Sequence, residues 1–138
     1  MITPNEIAAR WLANDLGLTV GGSSDFATFI GRMPQNPERA IAVFGTQGIT
    51  QGRIQATGQV VDFPGLQFLV RSNGYDVGSR KAYEVLAAID SCRREVVSIS
   101  GTDYMIHSLT RTSDVLPIGQ DQDTKLDKFT INVTASIS

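Results

Sequence analysis

Apolar positions recur along this chain with two different periods. Between Pro4 and Leu16 they fall at Ile7, Ala8, Trp11, Leu12 and Leu16, the spacing of one face of a helix. Thr3 is placed to cap that helix, Pro4 suits its first position, and Glu6 completes a capping box. Gly17 stands where a helix commonly stops, and Trp11 is expected as a core anchor. Gly21-Gly22-Ser23-Ser24 then predicts a turn and Phe26–Ile30 a short strand. Two prolines in Met33–Pro37 predict a loop, because they block regular pairing. Ala40–Phe44 is apolar throughout, the pattern of a strand in a sheet interior.

The middle of the chain predicts a strand–turn–helix unit. Asp62–Ser72 is extended and mostly apolar, Asn73-Gly74 breaks it, and Tyr75–Asp90 is amphipathic at helical spacing. Val96–Ser100 and Tyr104–Leu109, separated by Gly101-Thr102-Asp103, predict a hairpin. In the last stretch Phe129, Ile131 and Val133 alternate with Thr130, Asn132 and Thr134, a strand with one buried and one wet face. The order helix, strands, helix, strands gives an α+β fold. It is a mostly antiparallel sheet with the N-terminal helix and the central helix packed on one face. A length of 138 residues fits one domain over 1–138, with a core of useful size.

Gly45–Gly58 departs from both periods. Thr46-Gln47-Gly48 is repeated as Thr50-Gln51-Gly52, and glycine at this density suits an extended loop or a hairpin arm better than a packed strand. Long loops in compact domains are usually functional or disordered. The segment is not a phosphate loop, since it lacks the Gly-Lys-Ser/Thr ending and no helix pattern follows it.

Composition narrows the function classes. Hydrophobic residues at 41% and charged residues at 19% point to a folded globular chain, and no apolar run approaches the ~20 residues of a membrane helix. A net charge of −2 argues against general attraction to nucleic acid. The N-terminus lacks the basic and apolar regions of a signal peptide, and the lone Cys92 excludes a disulfide framework. Both suit a reducing cytoplasm or a particle assembled there. Catalytic chemistry has few carriers. His107 is the only histidine, and Cys92 sits beside Arg93 and Arg94, cations able to lower a thiol pKa. A small enzyme using His107 or Cys92 is the reading from a different class. The acidic run Asp121–Asp127 starts like a calcium loop. It then places Leu126 where the turn needs glycine and Asn132 where the bidentate glutamate belongs, so no metal and no cofactor is expected. Arg32, Arg39, Arg53, Arg71, Arg80, Lys81, Arg93 and Arg94 are scattered without interleaved aromatics. They read as solvated charges, or as groups converging at a subunit interface or on a ring lumen.

The strand Pro64–Arg71, ending in Val70-Arg71, followed by Tyr75-Asp76 and the helix through Ile89, resembles the central motif of bacteriophage tail terminator and minor capsid proteins. The flanking order also fits: an opening amphipathic helix, a Gly-rich connection before the motif, and a hairpin and an alternating strand after it. The resemblance implies a structural virion protein without enzymatic activity. Its α+β subunits would form a ring, expected to be a hexamer, that caps the tail tube. The other face would meet head-completion or connector proteins, with DNA passing through the lumen without specific binding and no membrane involved. Another head–tail joining component, a stopper or an adaptor, is the alternative. A ring needs a heterologous interface that closes, and pairing of free sheet edges is one way to build it. The arm, through Gly48, Ile49, Arg53 and Ile54, and the terminal strand, through Phe129, Ile131 and Val133, are the expected interface elements.

Overall fold

The computed structural model describes residues 2–53, 60–120 and 125–137. Helix α1 spans Pro4–Leu16. Thr3 occupies its N-cap, but the hydroxyl makes no capping bond; the Thr3 carbonyl instead accepts from the N–H groups of Glu6 and Ile7 at 3.1 and 3.2 Å. The expected capping box does not close, because the Glu6 carboxylate takes a hydrogen bond from Arg10 Nε at 3.1 Å, one turn along the same face. Gly17 ends the helix in the left-handed region at φ 68°, and Leu18 N–H donates to the Ala13 carbonyl at 2.7 Å. Trp11 is buried, as its place on the apolar face predicts.

The strands are β1 (Ala27–Ile30), β2 (Ala40–Arg53), β3 (Val60–Ser72), β4 (Arg93–Ile99), β5 (Thr102–Arg111), β6 (Leu116–Gln120) and β7 (Asp127–Ile137); α2 (Tyr75–Ser91) joins β3 to β4. They form one sheet in the order β1-β2-β3-β7-β5-β4, with β6 beside β7. Every pairing is antiparallel except β1 with β2. The β4–β5 hairpin closes through Ser100 and Gly101, both at positive φ (52° and 81°), because a two-residue turn of that hand matches the twist of the strands.

Both helices lie on one face of the sheet. Across that face, Ile41, Val70 and Phe129 stand in one row and Val43, Phe68 and Ile131 in the next, and all are buried. Helix α1 touches β1 and β2 at one end of the sheet and β4 at the other, so the sheet curls around the helices. Helix α2 crosses β3, β7 and β5. It comes close enough that a Cβ on Gly78 would stand 2.7 Å from the Phe129 ring and 2.9 Å from the Ser72 Cβ. Only glycine fits that crossing. Tyr75 packs on the same ring, with centroids 5.3 Å apart.

The opposite face is wetter, with Gln67 Nε2 donating to Asn132 Oδ1 at 3.2 Å across neighbouring strands. Arg71 is nevertheless buried there. Its Nε donates to the Glu38 carbonyl at 3.0 Å, and its Nη2 to the carbonyls of Pro37 at 2.7 Å and Gln35 at 3.3 Å. The strand-ending arginine of the central motif therefore fastens the proline loop to the sheet. A planar guanidinium with several fixed donors suits a bend whose carbonyls have no ladder partners.

Candidate functional site

The Gly-rich segment is a strand where the structure describes it. Among the described residues, β2 beyond Val43 has no strand partner but β3, and β3 beyond Gly65 has none but β2. The distal halves of the two strands therefore project from the sheet as an arm. From Gly65 to Val60 the projection is roughly 17 Å at about 3.3 Å per residue. Its register explains the repeated tripeptide. Thr46 pairs with Gly65 and Ile49 with Phe63; Thr50 pairs with Asp62 and Arg53 with Val60. Each Thr-Gln-Gly thus contains one β-bulge, Gln47-Gly48 opposite Pro64 and Gln51-Gly52 opposite Val61. Pro64 has no N–H to give a ladder, and a bulge is one of the few places where a paired strand tolerates it. Of the expected arm residues, Gly48, Ile49 and Arg53 lie on this distal part of β2, and Ile54 lies outside the described residues.

The expectation for the terminal strand is corrected. β7 is not an edge. β3 pairs with it from Asp127 to Thr134 on one side, while β6 and β5 share the other side. Phe129, Ile131 and Val133 are buried against the helices, so these side chains belong to the core and not to an outer surface. Alternation predicts that one face of a strand is buried; it carries no information about which strands lie alongside.

The true edges lie elsewhere, and they differ. On β1, Val20 bridges to Thr28 and covers part of the edge. β6 is exposed along its length, but Pro117 and a bulge between Pro117 and Gly119 interrupt it. β4 is the regular one. After Arg94, which sits at φ 52°, it pairs with β5 residue by residue from Glu95 to Ile99, and among the described residues no strand pairs with its other side. A groove of about 510 Å³ is lined by Glu95–Ser98 of β4 together with the end of α1, Leu18 and Val20.

The candidate catalytic groups find no support. Cys92 ends α2 buried, and its thiol is pushed up to about 12, first by burial and then by the carboxylates of Glu95 and Asp15. Burial and these carboxylates outweigh Arg93 and Arg94, which are exposed at the surface, and a thiol held protonated is not a nucleophile at neutral pH. His107 is exposed on β5. Among the described residues no three His, Cys, Asp or Glu groups could hold a metal, and no helix is long and apolar enough to cross a membrane. Several of the basic residues are engaged within the described part of the chain. Arg39 pairs with Asp25 and donates to Asn73, Arg71 holds the proline loop, and Lys81 pairs with Glu84 while lying 5.0 Å over the Phe26 ring. Sequence reasoning missed Arg71 as a clasp and β4 as an edge. The unbroken Val96–Ser100 pattern beside the proline in β6 was the available signal for the second.

No curated protein matches the chain. The family model described as bacteriophage tail terminator protein matches residues 12–136, a span that runs from the end of α1 through the arm and α2 to the penultimate residue of β7. With the α+β fold in place and the central strand–helix motif at its core, the chain belongs to the bacteriophage tail terminator family, and so to the structural proteins of the phage tail and neck.

Proposed function

We infer that this protein closes the finished tail tube as a ring of identical subunits, six in number. One face of the ring seats on the last layer of tube protein, and the other receives the head-completion or connector protein. DNA passes through the lumen without being gripped. The observation that carries the reading is the β2–β3 arm, which leaves the sheet with no other strand beside it among the described residues. An arm of that kind stabilises little in its own subunit, and its free backbone groups suit contact with another chain. The net charge of −2 supports a conduit, because each strong phosphate contact would add salt-dependent affinity that resists sliding.

The test is the mass of the purified protein in solution, alone and after addition of isolated tail tubes, with electron microscopy of the tube ends. A ring in solution, or a monomer that becomes a ring at the tube end, supports the reading. A ring that binds heads or connectors and ignores tubes points to the stopper or adaptor role. A protein that associates with neither overturns the assembly role.

A further inference from the structure

Two of the free edges of the curled sheet are unlike and complementary. The first is the distal half of β2, Thr46–Arg53, which has β3 on one side and, among the described residues, no strand on the other. The second is β4 from Glu95 to Ile99, with β5 on one side, no strand among the described residues on the other, and Glu95–Ser98 in the lining of the groove. A sheet edge left this regular invites pairing, and the chain guards its comparable edge at β6 with a proline and a bulge while leaving β4 without either.

The groove has its own chemistry. Val96 is 56% exposed and Val20 41% exposed, and both are in its lining. Asp15 and Glu95 bring two carboxylates, and among the described residues neither forms an ion pair. Arg10, the cation in the lining, is engaged by Glu6 at 3.1 Å. The occupant should therefore be an extended segment carrying little charge, and that charge should be positive. The arm meets this description: between Gly45 and Val61 its one charged residue is Arg53, and the segment contains no proline.

The geometry points to the β4 edge and its groove as the acceptor for the arm of a second copy of this chain, with distal β2 adding to the sheet beside Glu95–Ile99 and Arg53 facing Asp15 and Glu95. This rests on the ring reading above and supplies its subunit contact. Donor and acceptor lie on different parts of the chain, so the contact is heterologous: each subunit gives an arm to one neighbour and takes one from the other. Such a contact closes into a ring where the rotation allows. Backbone pairing provides the affinity, and the charge pair provides the choice of partner.

The experiment is charge reversal with rescue. Glu95→Arg, Arg53→Glu and the double variant are compared with wild type by mass in solution and by occupancy of isolated tail tube ends, with thermal unfolding checking that each is folded. Val96→Lys, at an exposed position, tests the edge independently. Each single reversal, and Val96→Lys, is expected to weaken subunit association at least tenfold, with the charge contribution shrinking as salt is raised, and the double variant is expected to recover most of the loss. A wild-type ring that tolerates both single reversals and Val96→Lys overturns this contact and leaves the ring reading standing. Two weakened reversals without recovery in the double variant also overturn the arm-to-groove pairing. A wild-type chain that never associates, with or without tubes, overturns the ring reading and this contact together.

Discussion

The two halves of the β2–β3 hairpin share one pair of strands and lead different lives. In the proximal half, Ala40–Val43 has β1 on its outer side, Leu66–Ser72 has β7, and the helices cover Ile41, Val43, Phe68 and Val70. In the distal half both outer edges are unpaired among the described residues and the ladder is broken by two bulges. The difference teaches how one hairpin divides its work. The proximal residues are held by burial and belong to the fold, whereas the distal strands have only each other as partners among the described residues. Folding energy is not spread evenly along a hairpin; it follows the apolar area removed from water.

The sharpest way to break the comparison is Phe68→Ala. Phe68 is fully buried between strands and helices, so the variant should lose about 3–5 kcal/mol, read as a lower midpoint in chemical denaturation. Equal stability with wild type would mean that the proximal half is not anchored as described. Gly78→Ala comes next. The new methyl group would meet the Phe129 ring at 2.7 Å and Ser72 Cβ at 2.9 Å, and the overpacking should outweigh the roughly 1 kcal/mol of helix propensity gained. A net loss of about 1–2 kcal/mol is expected, and thermal unfolding measures it. Thr28→Val should act in the opposite direction. Thr28 lies on β1 beside the proximal half, and its buried hydroxyl has no hydrogen-bond partner among the described residues, so its removal should stabilise by about 1 kcal/mol. The smallest effect belongs to the arm. Gln51→Ala, in the second bulge of an arm whose strands pair only with each other among the described residues, should leave subunit stability within about 0.5 kcal/mol of wild type. A large loss there would erase the distinction between the two halves.

Much of this fold was legible in the chain. Helical spacing marked both helices, and Gly17 marked the end of α1. The apolar run at Ala40 marked the start of β2, and the Gly101 break marked the β4–β5 turn. The sequence was less informative about neighbours. Phe129, Ile131 and Val133 alternate as they would on any antiparallel strand with one covered face, so position in the chain suggested an edge where the topology places a centre. The cue that mattered was negative: Pro117 and Gly119 fit an edge strand, and β7 has neither residue. The arm was legible as an arm, but its glycines concealed a strand. A repeat of four residues whose register advances three partner positions is a pattern of bulges, which neither the helical nor the strand period captures. Arg71 was legible only as a charge. Its role depends on carbonyls more than thirty residues away, beyond the reach of local pattern.

That clasp bears on where the chain can be lengthened. One guanidinium binds the carbonyls of Gln35, Pro37 and Glu38, so the spacing of these residues is fixed by the width of a single side chain. An inserted tag or label between them would detach the loop and leave the arginine facing the sheet without its acceptors. The turn at Gly22-Ser23-Ser24 is exposed, and it is there that a foreign peptide can be grafted with the clasp left intact.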